Sequence, residues 1–118
     1  MAEIQGDFAE AEQLYRESLA IRREIGDRKG EPFALQGLGK IANNRGDIAE
    51  AERLYLEALA IQREIGYRKG EATSLIELGT IMHSKGQYDE QYRMYSEGIR
   101  IRREIGIPIG QWFIDNGY

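Results

Sequence analysis

Apolar residues recur at three- and four-residue spacing along the chain, and this spacing predicts amphipathic helices. The segment after Asp47 shows it best, with one helical stripe formed by Ala51, Leu54, Tyr55, Ala58, Leu59 and Ile65. Shorter segments carry the same pattern at Leu35, Leu38 and Ala42, and again at Leu75, Leu78 and Met82. No segment alternates apolar and polar residues as a half-buried strand does. The pattern therefore predicts an all-α chain.

Glycines and acidic residues mark the predicted helix ends. The long helices are each followed by a glycine that could take a left-handed conformation, namely Gly26, Gly66 and Gly106. Asp47 stands before a long helix with Glu50 three residues later, an acidic form of the capping box. Asp7 and Glu10 repeat this arrangement, which predicts that the first long helix spans about residues 8–25.

The chain also repeats itself, with a period of about forty residues. The segments that start at Gly6 and Gly46 match at roughly twenty of about twenty-six positions, and a more diverged copy starts at Gly86. Pro32 is predicted to open the short helix between the first two copies. Repeats of this length are stacked units that cannot bury their apolar faces alone. The sequence thus predicts a solenoid of alternating long and short helices.

The positions that recur in each unit resemble a tetratricopeptide repeat in its long, forty-residue variant. The resemblance is carried by Leu38-Gly39, Gly46-Asp47, Ala51, Tyr55 and Ala58, and in the next unit by Leu78-Gly79, Gly86 and Tyr95. Gln91 and Gly98 replace two small alanines of the family pattern. Similar long repeats occur in the Leu-Gly-Asn adaptor, kinesin light chains and prokaryotic signalling arrays. The resemblance implies a right-handed superhelix of helix-turn-helix units, with about five helices and a C-terminal tail or short helix.

The repeat pattern divides a single solenoid domain, residues 1–118, into four parts. These are the long helix of an incomplete repeat (6–30), two repeats (31–70 and 71–110) and an apolar tail (111–118).

Composition excludes several function classes. The formal net charge of -4 argues against a nucleic-acid partner, and no apolar run approaches the ~20 residues of a membrane helix. The chain has no cysteine and one histidine, His83, so neither a thiolate metal site nor a histidine dyad is available. We therefore predict a cytoplasmic, non-enzymatic protein that needs no metal or cofactor.

The family resemblance implies that a peptide or partner protein binds on the concave face, which the shorter helices line. The residues expected there are Phe33, Gln36, Lys40, Asn43 and Asn44 on the first short helix, and Thr73, Ile76, Thr80, His83 and Ser84 on the second. Amide side chains can pair with an extended main chain, and Lys40 can attract a carboxylate. For Asn43 and Asn44 a second interpretation stays open, because polar residues near a helix end often only cap it.

Charged loops and helix faces have structural interpretations. The loops GDRKG at Gly26 and GYRKG at Gly66 would suit an anion, but the adjacent Glu31 and Glu71 favour a structural connector. The Glu and Arg residues of the long helices are predicted to form a solvated outer face with modest ion pairs.

The two ends of the predicted solenoid are apolar. No short helix precedes the first long helix to cover Ala11, Leu14 and Tyr15. Such a start fits either a piece of a longer array or a contact from another chain. The tail carries Trp112, Phe113 and Ile114 where another short helix would lie. The tail either caps the last long helix or docks on another copy, and the second case makes homo-oligomerisation an alternative function.

Overall fold

The computed structural model describes residues 2–118, with side chains from Asp7 onward. This part of the chain consists of α-helices joined by short turns and contains no strand. The helices are α1 (Ala2–Ile25), α2 (Gly30–Asn44), α3 (Ile48–Ile65), α4 (Arg68–Ser84), α5 (Tyr88–Ile105) and α6 (Gln111–Asp115). The predicted all-α architecture is confirmed, and the tail contains the short helix α6.

Neighbouring helices pack in chain order from α1 to α5. The backbones of α2 and α4 also approach each other, whereas those of α1, α3 and α5 stay further apart in the described chain. The short helices therefore lie on the inner side of the array and the long helices on its outer side. The division of the domain into the four predicted parts stays a prediction.

Each long helix ends as predicted, at a glycine in the left-handed conformation. Gly66 has φ 71°, and the N–H of Tyr67 then donates to the carbonyl of Gln62 at 2.9 Å. This bond satisfies a carbonyl that the helix end would otherwise leave without a partner. At the start of α3, the Asp47 carboxylate accepts the N–H of Glu50 at 3.3 Å, so Asp47 caps the helix as predicted. The second half of the predicted capping box does not form, because the N–H of Asp47 donates to the Ala42 carbonyl at 2.9 Å and the Glu50 carboxylate accepts from Arg53.

Two predicted helix starts are wrong. The helix α1 begins at Ala2 rather than near residue 8, so Asp7 is an interior residue and not a cap. The preceding Ala-Glu-Ile-Gln segment is made of adequate helix formers, and these outweigh the cap signal at Asp7. The helix α2 begins at Gly30, two residues before Pro32. A proline is tolerated there because the first N–H groups of a helix have no intrahelical acceptor.

The core is a continuous apolar layer between the inner and outer helices. Leu35, Leu75, Leu78, Ile81 and Ile101 are at most 1% exposed. A tyrosine from each long helix lies over a glycine of the short helix next to it, and a Cβ on Gly79 would come within 2.5 Å of the Tyr95 ring. The glycines therefore allow each helix pair to pack closely, as the repeat motif predicts.

Candidate functional site

A ladder of ion pairs joins successive repeats. Arg23, near the end of α1, donates to Glu31 of α2 at 3.2 Å and to Glu57 of α3 at 2.7 Å. Arg28 contacts the same Glu31 at 3.4 Å and reaches Glu64 of α3 at 2.7 Å. Two arginines thus hold one carboxylate of the short helix and two of the next long helix.

The same pattern recurs one repeat later. Arg63 contacts Glu71 at 3.2 Å and Glu97 at 3.0 Å. Arg68 contacts Glu71 at 3.0 Å and Glu104 at 2.8 Å. The long helices are predicted to carry ion pairs on a solvated face, and the ladder consists of such pairs, but it also crosses between repeats and includes the buried Glu31 and Glu71. Arg28 and Arg68 of the RKG segments connect neighbouring helices, because each contacts the buried glutamate of a short helix and a glutamate of the following long helix.

A cleft of about 340 Å³ opens on the inner side, between the N-terminal halves of α2 and α4. It brings together three of the predicted binding residues, Phe33, Gln36 and Thr73. Three more of its lining residues come from the RKG loops and the turn before α4, namely Lys29, Tyr67 and Lys69. Phe33 is 60% exposed, so the cleft presents an open aromatic surface.

The cleft has a positive rim. The Lys29 ammonium lies 4.9 Å from the centroid of the Tyr67 ring, a cation–π contact. The nearest carboxylate, Asp27, accepts the N–H of Gly30 at 2.9 Å and the Arg22 guanidinium at 2.7 Å. These hydrogen bonds, the one from Gly30 first, lower the pKa of Asp27. Asp27 is therefore held by the start of α2 and by Arg22.

Gln36 has a structural role at the edge of the cleft. Its amide donates to the Ser74 hydroxyl at 2.8 Å, and Ser74 donates to the Gln62 amide oxygen at 2.7 Å. Ser74 and Gln62 are 0% and 1% exposed. This chain, which we call the amide–hydroxyl network, ties α2, α3 and α4 together through buried polar groups. Much of the hydrogen-bonding capacity of Gln36 is thus used within the fold.

The other predicted residues of α4 turn toward α5. Thr80 lies 2.8 Å from the Tyr95 hydroxyl, and His83 Nδ1 lies 3.1 Å from the Gln91 amide oxygen. Ile76 packs against the position where Gly98 lacks a Cβ. These contacts place all three outside the cleft, although Thr80 and His83 stay exposed.

The remaining predicted residues lie toward the C-terminal ends of the short helices. Lys40, Asn44 and Ser84 are exposed and Asn43 is half-buried, and none of them lines the cleft. The carbonyl of Asn43 accepts the N–H of Gly46 at 3.0 Å in the turn that ends α2. Ligand binding by any of these residues stays a prediction.

Sequence reasoning missed Lys29, Tyr67 and Lys69 as cleft residues. The available signal was the repeated RKGE segment, residues 28–31 and 68–71, whose arginine contacts its buried glutamate in the structure. The lysine beside it cannot share that contact, because adjacent residues point in different directions on a helix.

The tail packs on the last long helix. Tyr95 of α5 meets the rings of Phe113 and Trp112 edge to face, with centroids 5.1 and 5.9 Å apart. Tyr15 of α1 and Phe33 of α2 form the equivalent pair at 6.2 Å. The tail thus covers Tyr95 with aromatic rings, although the backbone of α6 does not approach that of α5 as closely as α2 approaches α1.

The first long helix exposes a row of apolar side chains. Leu14, Ile21 and Ile25 are 59%, 57% and 70% exposed. The prediction placed Tyr15 on this uncovered surface, but its ring contacts Phe33 of the following helix instead. Ala11, the third residue predicted there, is half-buried.

Comparison with known proteins identifies the repeat. A sequence model described as tetratricopeptide repeat matches residues 1–64 and, in a second overlapping match, residues 31–104. The chain belongs to the tetratricopeptide repeat family. The solved crystal structure of BtubC (BKLC) from P. vanneervenii is similar to this tetratricopeptide repeat protein, with a TM-score of 0.80 and 25% identity. The match covers 88% of this chain but 42% of that one, so this chain spans less than half the length of BtubC.

A search of curated proteins finds no match. Tetratricopeptide repeats generally mediate protein–protein interaction and are typically non-enzymatic scaffolds. Across residues 2–118, none of the helices of this repeat protein has the length and apolar character needed to cross a membrane.

Proposed function

We propose that this tetratricopeptide repeat protein is a non-enzymatic scaffold that binds an extended segment of a partner protein in the cleft between α2 and α4. The observation that carries the proposal is Phe33, an aromatic side chain that is 60% exposed and lines the cleft together with Lys29 and Lys69. Single exposed apolar residues are common on protein surfaces, but one that lines a concave cleft suits a binding site.

The cleft favours a peptide that combines an apolar and an acidic side chain. An apolar residue seated on Phe33 would remove both surfaces from water, a gain of roughly 1.5–3 kcal/mol for one large side chain. The ammonium groups of Lys29 and Lys69 would attract a carboxylate on either side of it. The N-termini of α2 and α4 add partial positive charge in the same region. We therefore expect acidic residues next to an aliphatic or aromatic one.

The test is a selection from a phage-displayed library of random peptides, followed by fluorescence anisotropy with the selected peptide. Lys29→Glu with Lys69→Glu should weaken binding by at least about tenfold, and Phe33→Ala by a similar factor. Arg16→Glu with Arg93→Glu is the matched control, because it changes the charge equally at outer-surface side chains that are 63% and 71% exposed. This control should bind within about twofold of the unmodified protein.

A second comparison tests the extent of the site. Lys40→Ala with Asn43→Ala changes two of the predicted residues that lie outside the cleft, and it should leave the affinity nearly unchanged. A large loss in this variant, with none in the lysine variant, would contradict the cleft and favour the C-terminal half of α2. Selection of peptides without acidic residues would contradict the proposed ligand chemistry.

The exposed apolar side chains at the two ends favour homo-oligomerisation as a second candidate function. A cytoplasmic location stays a prediction from the sequence.

A further inference from the structure

Another pocket, of about 220 Å³, lies between α1, the end of α2 and the start of α3. Its apolar lining consists of Leu38, Ala42 and Leu54, which are 4%, 8% and 5% exposed. The other lining side chains are charged, namely Glu12, Arg16, Arg45, Asp47 and Glu50. Among these, the side chains of Arg16 and Arg45 are 63% and 42% exposed. This pocket, which we call the Ala42 pocket, thus has a buried apolar base and a charged opening.

The next repeat shows which side chain is buried at this place. Met82 of α4 stands forty residues after Ala42, and it is 5% exposed. Met94 of α5, the counterpart of Leu54, packs against the same core. Methionine carries an unbranched thioether chain beyond its Cβ, and alanine has none. The Ala42 pocket therefore lies where a thioether chain is buried one repeat later.

The opening of the pocket does not depend on what precedes α1. Its two α1 residues, Glu12 and Arg16, hold the positions of Glu52 and Leu56 in α3, a long helix that follows the short helix α2. The side chains of Glu12 and Glu52 are both 25% exposed, and Leu56 is 44% exposed. A short helix in front of a long helix thus leaves this part of the long helix open.

The charges around the opening are paired with one another. Glu12 accepts hydrogen bonds from Arg16 at 3.0 Å and from Arg45 at 2.7 Å. Glu50 accepts from Arg53 at 2.6 Å, and the third carboxylate of the opening caps α3. A charged occupant would compete with these pairs, whereas an uncharged one leaves them in place. The charge pattern therefore favours an uncharged, apolar side chain.

We propose that the Ala42 pocket binds a methionine side chain of a partner protein that lies against α1 and the turn between α2 and α3. The thioether would contact Leu38, Ala42 and Leu54, at the place that Met82 takes one repeat later. A flexible, unbranched chain adapts to the shape of a pocket more readily than a β-branched one, and its sulfur adds polarisable contacts. In the described part of the chain, the Ala42 pocket shares no lining residue with the cleft between α2 and α4, so this proposal does not rest on peptide binding there.

The first test uses N-acetyl-L-methionine methylamide as the probe and follows the backbone amide NMR signals of the chain. The probe should shift signals at the end of α2 and the start of α3, with half-saturation at about 1–50 mM. N-acetyl-L-glutamine methylamide is the matched control, because its side chain has a similar length but ends in an amide. It should bind at least about fivefold more weakly. Equal binding of both probes, or no saturable shift with the first, would overturn the proposal.

Free methionine separates a side chain of a partner protein from a small-molecule ligand. Its ammonium and carboxylate groups would meet the ion pairs around the opening, so it should bind at least about fivefold more weakly than the capped form. Tighter binding of the free amino acid would overturn the assignment to a partner protein.

Two substitutions exchange the repeats at this position. Ala42→Met places in the pocket the side chain that the next repeat already carries, and it should abolish the shifts. Met82→Ala should open a second site, so the capped methionine should then shift signals of α4 and α5 as well. Ala60→Met is the matched control, because Ala60 is an exposed alanine of α3 outside the pocket, and it should bind like the unmodified chain.

Circular dichroism shows whether each variant is folded. Unchanged binding by a folded Ala42→Met variant would overturn the proposal, and so would a folded Met82→Ala variant that gains no second site. The comparison of the three probes on the unmodified chain decides the proposal independently of either variant.

Discussion

The ring of Tyr55 lies over Gly39, so that a Cβ added to this glycine would sit 2.8 Å from the Cε2 atom of the ring. Tyr55 is 2% exposed, so its ring is buried in the core. We predict that Gly39→Ala lowers the free energy of unfolding by about 1–3 kcal/mol, although alanine is the better helix former. Chemical denaturation measures the loss. Lys40→Ala, at the exposed neighbouring position, should change stability by less than about 0.5 kcal/mol.

The amide–hydroxyl network predicts a cost for removing a single hydroxyl. Ser74→Ala takes away the donor to the buried Gln62 oxygen, and an unsatisfied buried acceptor costs about 1–3 kcal/mol. Thr73→Ala removes a neighbouring hydroxyl that donates to the Lys69 carbonyl at an exposed site, and it should be nearly neutral. Urea titration of both variants provides the comparison. Equal stability of the two would show that the network contributes little.

Two glutamates of the ladder should differ in importance. Glu71 is 5% exposed and accepts from Arg63 and Arg68, whereas the Glu97 side chain is 33% exposed and, among the described residues, accepts from Arg63 alone. We predict a loss of about 1.5–3 kcal/mol for Glu71→Gln and of less than about 1 kcal/mol for Glu97→Gln. Thermal unfolding at low and high salt measures both. A larger loss for Glu97→Gln would contradict burial as the deciding factor.

Acid should destabilise the protein. Four carboxyl groups have a lowered pKa in the fold: Glu12, Asp27, Glu50 and Glu104. For Glu12 the main cause is the hydrogen bond from Arg16, followed by that from Arg45. Near their pKa, such groups bind more protons in the unfolded protein than in the folded one. They therefore stabilise the fold above their ordinary pKa near 4, and this stabilisation is lost as the pH falls below it.

The melting temperature should therefore stay nearly constant between about pH 7 and pH 5, and it should be lower at about pH 3. Circular dichroism across this range measures it, and Glu12→Gln should make the drop shallower. A melting temperature that stays constant to about pH 3 would contradict the contribution of these carboxylates.

The helices and their packing motif could be predicted from the sequence because their signals are local and recur. Gly66 ends α3 through its own φ angle, and Tyr55 and Gly39 meet because the helix period places each on its packing face. The start of α1 could not be predicted in this way. It depends on a balance between the helix propensity of the residues before Asp7 and the single capping signal at Asp7, and the propensity outweighs the cap.

The site was harder to predict, because it depends on which side chains the fold occupies internally. Helical phase predicts Gln36 on the inner face, but it does not show that Ser74 and the Gly70 carbonyl accept its amide protons. The sequence pattern around Lys29 favours a structural connector for the whole loop, and it therefore does not predict Lys29 at a binding surface. Only the position of Glu31, held by Arg28, shows that the connector role belongs to the arginine and leaves the lysine for the cleft.

Because of the amide–hydroxyl network, each repeat fits at only one of the two positions in the array. If the two repeats were exchanged in a shuffled gene, Ser74 would follow α1 and face Arg22, and Gln62 would meet the tail at Ile114. A buried amide would then lie against a hydrocarbon side chain. Closely similar sequences therefore do not make these units interchangeable, and selection on their order would act through a buried hydroxyl and a buried amide, those of Ser74 and Gln62.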